Sequence, residues 1–311
     1  MGAWKFLKKN DVIDVVAPGY PSQIHEVEGA RLFLQKWGLQ ARIPKDLIKP
    51  HFLHANEDAE RFDFLKKAIE APDSQVIWCL RGGYGSNRLL PYLARLKKPT
   101  QAKLVLGISD VTSLHTFFIQ EWGWKTLHAP LLDRLGRNLI APKYEKELHQ
   151  ILFGQEKNIE FKKLQPLNEA ARQVRKIESK VVGGNLRVLE SSLGTPWQIE
   201  TRKKLLFLED IGERGYSVDR MLEHFRQCGL FKNCVGIILG DFVGSNEPNS
   251  EESKLDLVLK RWALDLQIPL FRGMQAGHGA IQRPVPLNTH CVLEMQASKK
   301  ATLSISTGGK K

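Results

Sequence analysis

Short apolar runs alternate with helix-spaced apolar positions through the first half of the chain, the pattern of parallel strands joined by crossover helices. The runs Val12 to Val16, Val76 to Leu80 and Leu104 to Leu106 predict strands. Between them Ala30, Phe33, Leu34 and Trp37 recur at helical spacing behind a capping candidate at Ser22, and Ala59, Phe62, Leu65 and Ile69 do so behind Asn56. Each predicted strand ends in a polar or glycine-containing turn: APGYPSQ, RGGYGS and GISD. Ligand sites of open α/β sheets lie at the carboxyl ends of the strands, so these three turns are expected to converge.

Over residues 156–180 the periodicity gives way to a polar, charged stretch that reads as a connection between domains. Beyond it Leu205 to Leu208, Val235 to Leu239, Val292 to Met295 and Leu303 to Ser306 predict further strands. One helix is signalled there by Ser217 as cap, by Val218, Met221, Leu222 and Phe225 on one face, and by Gly229 as stop. The expected class is therefore α/β: an N-terminal Rossmann-like parallel-sheet domain over 1–155, a linker over 156–180, and a C-terminal β-rich α/β domain over 181–311. A chain of 311 residues accommodates two cores of ordinary size.

Composition narrows the class further. With 42% hydrophobic and 26% charged residues and no low-complexity tract, the chain is that of an ordered globular protein. The N-terminus lacks a signal-peptide core and no apolar stretch is long enough for a membrane span, which predicts a soluble cytoplasmic protein with no membrane partner. Position 6 is Phe, so the opening Met-Gly does not fit the myristoylation pattern. Cys79, Cys228, Cys234 and Cys291 show no CxxC spacing and read as buried or semi-buried free thiols rather than a zinc site. The net charge of +12 favours anionic partners. Its densest stretch, Lys157 to Lys180, lacks interleaved aromatic residues for base stacking, so nucleic acid is not expected and a small polycarboxylate substrate fits as well.

Four places could carry chemistry. Ser109, in KLVLGISDVTSLH, stands at a sharp strand-to-helix transition that can lift a hydroxyl clear of a sheet, although Ser109 or Asp110 could equally be a plain helix cap and only the first Gly of GxSxG is present. Arg81-Gly82-Gly83-Tyr84-Gly85 can bring backbone N–H groups against an anion or oxyanion, yet it matches neither GxGxxG nor a P-loop. His278 lies between two glycines on a predicted loop, where a general base can reach substrate, with His115 and His128 as rivals. Glu209, at the exit of an apolar strand, could orient an imidazole, and spacing alone leaves Asp210 and Glu213 equally eligible.

Taken in order, VVAPGYP, RGGYGSNRLLPYL, GISDVTSLH, GGNLRVLESSLGTPW, LFLEDIGERGYSVDRML and AGHG resemble the LD-carboxypeptidase family of serine peptidases, which includes murein tetrapeptide carboxypeptidases and microcin C immunity peptidases. The resemblance runs from about Val12 to His278 and into the last strands. It implies a catalytic triad of Ser109, His278 and Glu209, with an oxyanion hole from the backbone N–H of Asp110 and one from the RGGYG turn, for which Gly83 is favoured. It implies no metal or cofactor, a homodimer, and a murein-derived peptide from which terminal D-Ala is released. Arg81 and Tyr84 are the candidate substrate contacts. Two other readings stay open: an immunity-type peptidase acting on peptidyl or aminoacyl nucleotides, and a non-catalytic protein in which RGGYG holds an anion and Ser109 only caps.

Overall fold

A computed structural model describes residues 4–49, 51–248 and 252–310. The chain forms two compact units. Among the described residues, the first comprises those up to Lys157 with Arg283–Asn288 and those from Thr307 on; the second comprises Asn158–Gln282 and Thr289–Ser306.

The first unit is built on a six-stranded sheet in the spatial order Val285–Leu287, Thr126–His128, Leu104–Gly107, Ser74–Cys79, Val12–Val16 and Gln40–Arg42. All neighbours pair in parallel except the edge strand Val285–Leu287, which runs antiparallel to Thr126–His128. Strands such as VIDVV and SQVIWC are nearly continuous apolar runs because helices cover parallel sheets on both faces. The chain moves out from Val12–Val16 to one side first and then to the other, so the order reverses between Val12–Val16 and Ser74–Cys79. Such a reversal opens a crevice at the carboxyl ends of the strands, here bounded by the turns that begin at Ala17 and Leu80.

The helices fall where the periodicity put them, but their starts shift. The first, Ile24–Lys36, is capped by a reciprocal box between Gln23 and Glu26 rather than by Ser22. The second, Asp58–Glu70, is preceded by Glu57 at the cap position. Asn56 instead uses its side-chain amide to hold the carbonyls of Asp46 and Leu47.

The second unit is a closed barrel of seven strands. The stretch 156–180 is no bare linker, for it supplies the strand Asn158–Pro166 and the start of Lys176–Asn185, both barrel staves. Ile159, Phe161 and Leu164 point inward between exposed charged residues, so a strand periodicity was present beneath the charge. Nor does the C-terminal stretch 181–311 keep to one body. Residues 283–288 return to the first unit, where Val285 pairs with His128.

The helix Gly215–Gln227 buries Val218, Met221, Leu222 and Phe225 as expected, but Arg214 occupies the cap position. Ser217 lies inside the first turn, its hydroxyl donating to Glu213 and accepting from Arg187. Cys79, Cys234 and Cys291 are buried, whereas Cys228 is exposed at the end of this helix. No helix among the described residues is long and apolar enough to cross a membrane.

Candidate active site

In the first unit the strand Leu104–Gly107 runs into a single 3-10 turn, Ser109–Val111, and then the helix Thr112–Gln120. Ser109 adopts φ +66, the left-handed region that a side chain enters at a cost of about 1–2 kcal/mol. That conformation lifts the hydroxyl out of the line of the strand, as a nucleophile elbow requires. It is held from behind by His115, whose Nε2 lies 2.9 Å from the carbonyl oxygen of Gly107. A carbonyl only accepts, so Nε2 carries the proton. Burial pushes the His115 pKa down to about 3, leaving the ring neutral and locked to the backbone. His115 is thus a brace of this turn rather than a mobile base, and His128 is likewise buried.

The RGGYGS turn packs directly on the elbow. A Cβ added to Gly82 would stand 2.9 Å from Ser109 Cβ and 3.3 Å from Ser109 Oγ, so only glycine leaves room for the serine. Asp110, almost wholly buried, accepts the backbone N–H of Ser86 at 2.7 Å and ties the turn's far end to the elbow. Burial raises the Asp110 pKa against the lowering effect of these hydrogen bonds. Gly83 takes φ +92 beside Tyr20. The buried guanidinium of Arg61 reaches the carbonyls of Pro18, Gly85 and Asn56 and joins the carboxylate of Asp58. One side chain therefore pins both turns that bound the crevice.

In the second unit, the strand Leu205–Ile211 delivers Glu209, fully buried, opposite Asn185 of the neighbouring strand. Its Oε2 lies 2.7 Å from His278 Nδ1. Asp210 points the other way and accepts from Asn185 Nδ2 and from the N–H groups of Arg187 and Ile211. Burial, reinforced by Glu209 and opposed by these bonds, leaves the Asp210 pKa at about 6. Glu213 is engaged by Arg187 at 2.9 Å and by Ser217. Of the three acids that spacing could not separate, Glu209 is the one that reaches the imidazole.

Residues 13–129 match the LD-carboxypeptidase N-terminal domain and residues 178–293 match the LD-carboxypeptidase C-terminal domain. The chain belongs to the LD-carboxypeptidase family. A Bacillus subtilis protein named a probable murein peptide carboxypeptidase is 33% identical over 301 residues, spanning 96% of this chain and 93% of that one. The crystal structure of muramoyltetrapeptide carboxypeptidase from Oxalobacter formigenes superposes with a TM-score of 0.82 at 26% identity, covering 95% of this chain and 98% of that one. The self-immunity protein MccF, solved with glutamyl sulfamoyl guanosine, shares the fold at a TM-score of 0.82 and 22% identity, with 98% of each chain covered.

In this member of the family the two candidate substrate contacts are partly committed elsewhere. Arg81 bonds Glu26 at 3.3 Å and lies 5.5 Å from the Tyr20 ring centre, with about a third of its side chain exposed. Tyr84 is exposed and packs its ring 5.2 Å from that of His54. Sequence reasoning did not single out Gly82, Arg61, or His115 as a brace. For Gly82 the signal was there, in a motif whose second glycine drew the attention. A buried arginine in DAERFDFLKK, by contrast, carries no mark that separates it from a solvated one.

Proposed function

We propose that this chain is a serine-type LD-carboxypeptidase that releases terminal D-Ala from murein tetrapeptide, with Ser109 as nucleophile, His278 as general base and acid, and Glu209 as the carboxylate that orients the imidazole. The observation that carries the reading is the buried Glu209 oxygen 2.7 Å from His278 Nδ1. A carboxylate there keeps the proton on Nδ1, so Nε2 is the nitrogen that accepts one, and it stabilises the imidazolium that follows. The left-handed Ser109 elbow in a chain of this family supplies the matching nucleophile.

In the reaction His278 takes the Ser109 proton as Oγ attacks the carbonyl of the L,D bond. The tetrahedral oxyanion is held by the backbone N–H groups of Asp110 and Gly83. The imidazolium then protonates the leaving amine of D-Ala, and water resolves the acyl-enzyme by the same steps in reverse. Each oxyanion donor contributes about 3 kcal/mol to transition-state stabilisation. Names given to relatives, murein peptide carboxypeptidase in Bacillus subtilis and muramoyltetrapeptide carboxypeptidase in Oxalobacter formigenes, support a murein peptide as the substrate class.

Incubation with murein tetrapeptide, read by mass spectrometry, tests the assignment. Release of D-Ala by the native protein and not by Ser109→Ala supports it. Inertness toward the tetrapeptide with cleavage of an aminoacyl nucleotide would replace the substrate by that of the immunity-type relatives. Inertness toward both would remove the hydrolase reading.

A further inference from the structure

The strand Gly236–Val243 does not pair regularly with Leu205–Ile211. Leu239 pairs with Leu208 and Phe242 with Asp210, so Gly240 and Asp241 together stand against the single residue Glu209. This is a β-bulge, a device that re-aims a side chain at the cost of one ladder position. Here the side chain is a carboxylate beside the Glu209–His278 pair.

Asp241 holds the loop carrying His278 at two points. Its backbone N–H donates to the carbonyl of Ala276 at 2.9 Å, and its carboxylate packs against the backbone of Gly279. The two anchors flank the histidine. The fit is close: a Cβ on Gly279 would stand 2.5 Å from Asp241 Oδ2, and one on Gly277 would stand 3.2 Å from Asp241 Cβ and 2.9 Å from Glu209 Oε2. Asp241 Oδ2 is itself buried and has no hydrogen-bond partner among the described residues.

We propose that Asp241 is a positioning residue for His278, clamping the Ala276–Gly279 loop so that Nδ1 stays on Glu209 and placing a second negative charge near the imidazolium formed during turnover. The inference rests on the Ser-His-Glu reading. Burial is the main cause that lifts the Asp241 pKa to about 6, with Glu209 raising it further while the Gly279 N–H and His278 oppose. The charged groups facing it are thus Glu209 on the adjoining strand and His278 on the loop. Above about pH 6 the ionised carboxylate favours the protonated imidazole; below that its charge is withdrawn.

Two variants separate clamp from charge. Asp241→Asn keeps the shape packed against Gly279 and loses the charge, so the acid limb of its kcat/KM profile moves to lower pH, by up to about one unit, while kcat falls only several-fold. Asp241→Ala loses both, and kcat falls about 100-fold with KM nearly unchanged, the cost of a misplaced general base. The downfield NMR resonance of the His278 Nδ1 proton supplies a readout that needs no turnover: sharp in the native protein, retained in Asp241→Asn, broadened by exchange in Asp241→Ala. Native kcat, acid limb and proton resonance in both variants would overturn the proposal. If Asp241→Ala does not fold, the acid limb of Asp241→Asn decides. If the native protein releases no D-Ala, the carboxypeptidase reading fails, and the Nδ1 resonance still decides whether Asp241 holds the histidine.

Discussion

Around Ser109 the geometry is set by backbone. A left-handed residue, a glycine packed against it, and carbonyls gathered by the buried side chains of His115 and Arg61 define where the hydroxyl lies. Around His278 the geometry is set by ionisable side chains on barrel strands, one of which bulges beside Glu209. The difference follows from the tasks proposed for the two halves. A nucleophile has to be presented at one fixed point, and backbone strain does this without consuming a charge. A proton carrier has to stabilise a charge that comes and goes, which calls for a carboxylate that is already in place.

On this contrast, side-chain chemistry should dominate the losses in the second unit, and, the nucleophile itself apart, shape should dominate those in the first. The largest effects come from the reacting groups themselves. Ser109→Ala is expected to lower kcat for D-Ala release by about 10⁶-fold, and Glu209→Gln by about 10⁴-fold through loss of the correct tautomer, each with an unchanged circular dichroism spectrum. Comparable rates for Glu209→Gln and the native enzyme would remove the orienting carboxylate from the account.

Next comes a change of shape alone. Gly82→Ala inserts one methyl group 2.9 Å from Ser109 Cβ and is expected to cost about 100-fold in kcat while titratable groups stay as they are. A native rate in this variant would show that the serine is not held by its fit against the turn.

A smaller effect is a dependence of stability on pH. The Asp210 carboxyl sits at about 6 against 3.8 in its ordinary state, so folding disfavours its ionisation. Stability from this group is fully present below about pH 4 and is lost as pH rises through about 6. Asp210→Asn cannot ionise, so relative to the native protein it should gain about 2 kcal/mol between pH 4 and pH 7, seen in denaturant melts at both values. An unchanged difference at the two pH values would show that Asp210 is not held in this state. The smallest effect belongs to Arg81→Ala, which removes one of two partly exposed guanidinium partners of the buried Glu26 and leaves Arg137 in place, so it should cost under about 1 kcal/mol of stability. A tenfold rise in KM for the tetrapeptide would instead make Arg81 a contact for a substrate carboxylate.

Much of the first unit was legible along the chain because parallel strands buried on both faces are written as unbroken apolar runs, and VIDVV, VIWCL and LVLG are such runs. Ser109, Glu209 and His278 were eligible from their places at strand ends and on a glycine loop, and the ordered motifs of the family singled them out. The barrel was harder. Its stave Asn158–Pro166 hides three inward apolar residues among lysines and glutamates, so charge density outweighed an alternation only a few residues long. The return of Val285–Leu287 to the first sheet left no trace either, since an edge strand of three residues has no periodicity to read.

By itself the amino-acid sequence determined the α/β class, the helix faces and the three turns at the strand ends, because these follow from periodicity and from local turn chemistry. Tertiary structure alone decided which glycine backs Ser109 and that Asp241 joins the imidazole pair. Those choices depend on register: a single extra residue in the strand Gly236–Val243 turns Asp241 toward Glu209, and register is fixed by pairing between segments far apart in the chain rather than by any local pattern.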